Sequence, residues 1–304
     1  MRYTVLTVGI DKVLRIALDK VNCHQAHVVH IDWPQLLTAP TDVKNNKNQL
    51  RFVLEISEGI SLDSQSLTGI ISFDRHIPRA CLAHNYHQDD QEYCFSAWQS
   101  NWLSLHKSVK KSINCVDYSM LQANYLTLPH CYSLAHAVGL DVPKWNFCSQ
   151  KSLPIAYLST ANKSLLHNHN FSQSSSTGML AIEYIQGDPV VVLVIGKRIV
   201  ARRIKSLEVN IQIPIKVSSK MLKLKMQLGI DVCEIFCKIN DGRWIVLRVV
   251  TKPEWGRWWL RDLDSYAGYL LDLLKPPQGK KPKKHPMFIK KNLRPFCGSE
   301  QEPG

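Results

Sequence analysis

The stretch that most constrains the fold runs from Leu180 to Trp259. After Leu180 to Ile185, an unbroken branched run from Val190 to Ile195 meets Gly196-Lys197 and returns as Arg198 to Ile204. Helical spacing follows over Val217 to Leu228. A second pair of runs, Val232 to Ile239 and Arg243 to Val250, flanks Asn240-Asp241-Gly242. Branched and aromatic runs bounded by glycine turns mark paired strands, and Asp-Gly suits a two-residue hairpin turn because both residues accept positive φ. Two hairpins with a helix between them predict an antiparallel sheet with a helix laid on it.

The first 115 residues have another rhythm. Tyr3 to Val8, Ala26 to Ile31, Arg51 to Ile56 and Gly69 to Phe73 are predicted strands, and Asp11 to Val21 a helix. A second helix is predicted over Gln91 to Val109, where Phe95, Trp98, Trp102 and Leu105 recur on one face. A strand, a crossover helix and a strand argue for a small α/β layer with a largely parallel sheet. The aromatic stripe reads as a packing face, with a ligand platform as the weaker alternative.

From residue 116 to 179 the composition shifts. A helix is predicted over Pro129 to Val138, closed by Pro143, and the stretch from Lys144 to Gly178 reads as a polar linker. His167 and His169 have no acidic or thiol neighbour to complete a metal shell, so a polar loop is the simpler reading. Cys233 and Cys237 share a strand face with Ile235 and Ile239, which suits a core better than redox or metal chemistry. An amphipathic helix is expected over Asp262 to Leu274. Beyond it, residues 275–294 carry eight Lys or Arg and no acid, broken by prolines, so 276–304 reads as a disordered basic tail.

Length and hydrophobic content fit a two-domain globular protein, and no apolar run approaches the ~18 residues that a membrane-spanning helix needs. Nine irregularly spaced cysteines point to a reducing compartment, and the cytoplasm is the expected location.

The ordered set of pieces resembles the ATP-grasp family, specifically the ligases that crosslink ribosomally made peptides (microviridin or graspetide maturases). Ile182-Glu183-Tyr184-Ile185 is similar to the adenine-side strand. Leu228-Gly229-Ile230-Asp231 and Asp241-Gly242-Arg243-Trp244-Ile245-Val246-Leu247 are similar to the strands carrying metal ligands. Ile71 to Arg75 and Leu134 to Pro143 are similar to the preceding domain and its link into the nucleotide site. The resemblance implies an α/β fold that becomes α+β in its second half. A pre-ATP-grasp-like α/β domain (1–115) would precede a linker helix with a truncated central subdomain (116–179). A shortened ATP-grasp-like domain of antiparallel strands and packed helices (180–275) would follow.

The resemblance also implies a site for ATP and magnesium, whose ligands are hard oxygens. Matched residue by residue, the metal positions fall on Phe236, Arg248 and Val250, and the usual lysine and arginine on Leu128 and Val191. Shifting the first strand by two brings in Glu234 but leaves the second unrepaired. The expectation is a dismantled catalytic site, with no cofactor and no metal, in which Arg248 can still stand in for the metal's charge and hold a phosphate. Glu183, Tyr184 and Arg248 are the nucleotide-pocket candidates, and Glu183 reads equally as a strand-edge acid. Trp255, Arg257 and Trp258 are peptide-binding candidates, weighed against tryptophans that cap the core.

Three functions follow. The first is a noncatalytic protein binding a precursor peptide or an active ligase. The second is a divergent ATP-dependent ligase in which Glu234 or Glu254 takes metal duty and ATP and Mg are the cofactors. The third is a basic module binding nucleic acid or an anionic surface through the tail. A homodimer is compatible with each.

Overall fold

The computed structural model describes residues 3–21, 26–39, 41–46, 49–57, 60–74, 77–83, 86–109, 111–113, 128–148, 179–204 and 211–275. His167, His169, most of the polar stretch after Pro143, and the basic tail lie outside them.

In chain order the first half comprises β1 (Tyr3–Val8), α1 (Lys12–Val21), β2 (Ala26–Ile31), α2 (Trp33–Thr38), β3 (Thr41–Asn46), β4 (Gln49–Ser57), β5 (Ile60–Asp63), β6 (Leu67–Ile71), α3 (Arg79–Ala83), α4 (Gln91–Ser108) and β7 (Lys111–Ile113). The second half continues with α5 (Leu128–Ala137), β8 (Trp145–Cys148), β9 (Met179–Ile182), β10 (Asp188–Ile195), β11 (Arg198–Arg203), α6 (Ile215–Gln227), β12 (Val232–Asn240), β13 (Arg243–Val250), α7 (Trp255–Trp258) and α8 (Leu263–Leu274).

The first sheet has the order β2-β1-β6-β7, with every pair parallel. Its strands read as near-continuous apolar runs because both faces are covered. Tyr3, Val5, Ile71 and Phe73 pack with Leu14 and Leu18 of α1 and Leu270 and Leu274 of α8. Leu6, Val8 and Ile70 pack with Trp33 and Leu36 of α2 and Trp102 and Leu105 of α4. The second sheet, β11-β10-β12-β13, is antiparallel throughout. Alternation sends Val190, Val192, Cys233, Ile235 and Cys237 to one face, against Ala135 of α5 and Met221 and Leu224 of α6. Val191, Leu193 and Phe236 point to the other face and join the core that contains Leu14 and Ile71.

The expected α/β class, with a parallel sheet first and antiparallel strands later, is what the structure has. The stripe on α4 packs as read, since Trp102 is buried and meets Trp33 edge-on at 4.9 Å while the Trp98 indole donates to the Tyr86 hydroxyl at 2.9 Å. Cys233 and Cys237 are buried in the core, and burial pushes the Cys233 thiol up to about 12 and raises that of Cys237 as well. Thiols held protonated this way are poor nucleophiles and poor metal ligands.

Two expectations need correction. The antiparallel meander β3-β4-β5 covering one face of the first sheet was expected only at β4. The residues of β3, Thr-Asp-Val-Lys-Asn-Asn, show no apolar alternation because the strand lies at a sheet edge. The linker reading fails at its start, where β8 pairs antiparallel with β9 from Trp145↔Ile182 to Cys148↔Met179.

Candidate nucleotide and metal site

Strand register builds the site from residues far apart in sequence. Arg202, Val191, Phe236 and Arg248 form one rung across β11, β10, β12 and β13. On the next rung, Leu193 is opposite Glu234, and Glu234 opposite Val250. A bulge sets this arrangement: Phe236 pairs with Arg248 and Cys237 with Val246, so Leu247 is the extra residue. The three metal positions matched in the sequence therefore converge. Glu234 joins them, because a register shift of two keeps a side chain on the same face.

That face is filled by the chain that follows β13. Trp255, Trp258 and Trp259 are all buried, at 1%, 7% and 0% exposure. Trp258 meets the Phe236 ring edge-on at 6.4 Å, and Trp255 meets Phe73, just after β6, at 5.6 Å. The Trp259 indole N–H donates to Glu234 Oε1 at 2.6 Å, and the Glu254 backbone N–H donates to the same oxygen at 2.9 Å. Arg202, itself buried, donates to the Trp258 carbonyl and to the Asp262 carboxylate, the latter at 2.5 Å. Lys252 reaches Asp74, in the loop after β6, at 2.7 Å. The segment from Lys252 to Asp262 is thus pinned by five hydrogen bonds.

The electrostatics follow from this burial. The Glu234 carboxyl is pushed up to about 7, chiefly by desolvation, against the opposing pull of the Trp259 and Glu254 hydrogen bonds. Its Oε2 is buried without a hydrogen-bond partner, as is Nε of Arg248. The Arg248 guanidinium lies 4.3 Å from the centre of the Phe236 ring, and desolvation lowers its affinity for a proton while the charges of Glu254 and Glu234 support it.

Just beyond the paired ends of β9 and β8, Glu183 and Lys144 bond reciprocally: Glu183 Oε2 accepts from the Lys144 backbone N–H at 3.0 Å, and the Glu183 N–H donates to the Lys144 carbonyl at 2.8 Å. Tyr184 is exposed and faces the Lys238 ammonium at 4.7 Å. Lys238 is buried and donates to the Ile185 carbonyl at 2.5 Å. Arg248 pairs with Phe236, one same-face step along β12 from the Lys238 that Tyr184 faces. Of the peptide-binding candidates, Trp255 and Trp258 turn their surface to the core, whereas Arg257 is exposed and stacks on Trp258 at 4.4 Å. Sequence reasoning passed over Arg202 and Lys238. Both had a signal available, being charged residues inside otherwise apolar strands.

This donor set does not fit magnesium and a triphosphate. Magnesium requires hard oxygens in octahedral array. Here Phe236 and Val250 offer carbon, Arg248 offers a cation, and one oxygen of Glu234 already accepts two hydrogen bonds. The neighbouring Glu254 carboxylate accepts from Arg257 at 3.1 Å. Among the described residues, no three His, Cys, Asp or Glu side chains gather as a metal-holding group.

No known family profile matches the sequence, and no curated protein matches it. Solved structures do match the fold. The macrocyclase MdnB of Microcystis aeruginosa MRC aligns with a TM-score of 0.62 at 16% identity, over 89% of this chain and 98% of its own. Macrocyclase MdnC of the same organism, bound with precursor peptide MdnA, aligns with a TM-score of 0.66 at 13% identity, over 89% and 99%. A RiPP-associated ATP-grasp ligase of Chryseobacterium gregarium, in complex with ADP and a leader and core peptide, aligns with a TM-score of 0.63 at 10% identity, over 90% and 96%. The chain has the fold of the ATP-grasp ligases that modify peptides.

Proposed function

We propose that this chain is a noncatalytic protein of ATP-grasp fold that binds a ribosomally made peptide, or the active ligase that modifies one, in the cytoplasm. The observation that carries the reading is the cleft face of the second sheet. Where a ligase needs carboxylates and space, it presents Phe236, Arg248 and Val250 under a buried tryptophan segment. A cation facing a metal position opposes divalent-ion binding at close range. The peptide part of the reading is supported by the likeness to MdnC, solved with its precursor peptide, and to the Chryseobacterium ligase, solved with leader and core peptides.

The test combines nucleotide and peptide binding. Titration calorimetry with ATP should show no magnesium-dependent heat, and incubation with MgATP and candidate precursor peptides should release no ADP above background. A true site loaded at a hundredfold its Kd would add about 2.7 kcal/mol to stability, so a thermal scan reports the same absence. Pull-down with a precursor peptide or a ligase encoded nearby should succeed. One arrangement favours a second reading: the Glu254 backbone on Glu234 brings two acids together, the pair an active divergent ligase would recruit. Peptide-stimulated ADP release, abolished by Glu234→Gln, would establish that reading instead.

A further inference from the structure

Helix α6 lies on the sheet face turned away from the filled cleft, where it buries Met221 and Leu224. Its outward face is not polar throughout. Ile215, Ser219, Leu222 and Met226 recur at spacings of four, three and four, the seam spacing at which one helix meets another. Ile215 is 87% exposed and Met226 72% exposed, with Ser219 exposed between them and Leu222 half-buried, in part packed against the cluster that holds Met221 and Leu224.

Charge gives this seam a direction. Lys216 and Lys223 each follow a seam residue by one position, which places them along the same edge. Both are exposed, and neither forms an ion pair or hydrogen bond among the described residues. Lys220, further round, reaches the Gly139 carbonyl at 2.5 Å. Residues 128–140 and 211–230, which build the helical layer over this face, contain no Asp or Glu. Flanking charges of one sign select a partner of the other sign, and like charges at these positions repel. A second copy is therefore a poor occupant, since in an antiparallel pair of α6 helices Lys216 and Lys223 would meet their own kind.

We propose that the outward face of α6 docks an acidic amphipathic helix of a partner protein. Apolar side chains of the partner cover Ile215, Leu222 and Met226, while carboxylates along one edge pair with Lys216 and Lys223. This surface is independent of the cleft, so it stands whether or not the chain turns over ATP.

The test uses the full chain and two synthetic amphipathic helical peptides with identical leucine seams, one flanked by glutamates and the other by lysines. Fluorescence anisotropy should show binding of the glutamate peptide and none of the lysine peptide. The K216E/K223E double variant should bind the glutamate peptide about tenfold more weakly and acquire affinity for the lysine peptide. An I215S/M226S variant with unchanged circular dichroism should lose the glutamate peptide. Absence of binding, or binding unchanged in K216E/K223E, would overturn the proposal; the latter would assign the attraction to the basic tail. Vesicles containing phosphatidylserine that displace the glutamate peptide, with the same dependence on Lys216 and Lys223, would replace it with a membrane surface.

Discussion

Glu234 accepts two hydrogen bonds on one carboxylate oxygen while its other oxygen is buried without a partner. Burial raises its carboxyl from 4.5 to about 7, with Arg248 and Glu254 as the charged neighbours acting on it. The sign of the resulting pH dependence is fixed. The folded state holds the proton more tightly than the unfolded chain, so this group's contribution is fully present below about 4.5 and is lost as pH rises through about 7. Glu234→Gln removes the titration. The difference in stability between wild type and variant should therefore change by up to about 3 kcal/mol between pH 4.5 and 8. Denaturant titrations of both proteins at several pH values measure this. Parallel curves across that range would show that Glu234 keeps an ordinary carboxyl.

The elements differ in how plainly the sequence announces them. The hairpins β10-β11 and β12-β13 were legible because branched runs meet glycine turns, and Asp241 and Gly242 do adopt φ of 50° and 76°. Strand β3 was not legible, because a polar edge strand has no buried face to impose alternation. The convergence of Phe236, Arg248 and Val250 could be expected from the resemblance, and tryptophans capping the core are the reading weighed against peptide binding for Trp255 and Trp258; the ring contacts and hydrogen bonds by which they cover Phe236 and Glu234 could not be expected. Arg202 holds Asp262 sixty residues away and Lys238 holds the Ile185 carbonyl, and no local pattern encodes such distant partners. Two glycines separate turn strain from steric strain. Gly242 has φ of 76° and open space where a Cβ would stand, so Gly242→Ala should cost about 1–2 kcal/mol from the backbone alone. Gly187 has φ of 120°, and a Cβ there would lie 2.2 Å from the Ile239 carbonyl oxygen. Gly187→Ala should therefore cost roughly twice as much or more, since the β10-β12 pairing must shift as well. Calorimetric unfolding of the two variants ranks them, and the reverse order would mean that the β12 backbone yields freely.

Across the whole molecule, one apolar cluster joins the parallel sheet to the antiparallel one. Val5, Leu14, Ile71 and Phe73 belong to it with Val191, Leu193 and Phe236, and the tryptophans 255, 258 and 259 and helix α8 fill the space between. Helix α8 contributes from the far end of the described chain, with its Leu271 carbonyl accepting from the Tyr3 hydroxyl at 3.3 Å. The face of the second sheet that carries Val191, Leu193 and Phe236 is built into this core, which gains stability from the apolar area it buries. Such a core should make the two sheets open together. Native-state hydrogen exchange should give peptides covering β1 and β12 similar opening free energies. Truncating the fully buried Trp259 to alanine should lower both by the same amount, about 3–5 kcal/mol. A loss of protection confined to β10 through β13 would mean that the sheets unfold as separate units and that the tryptophan segment plugs one of them without binding it to the other.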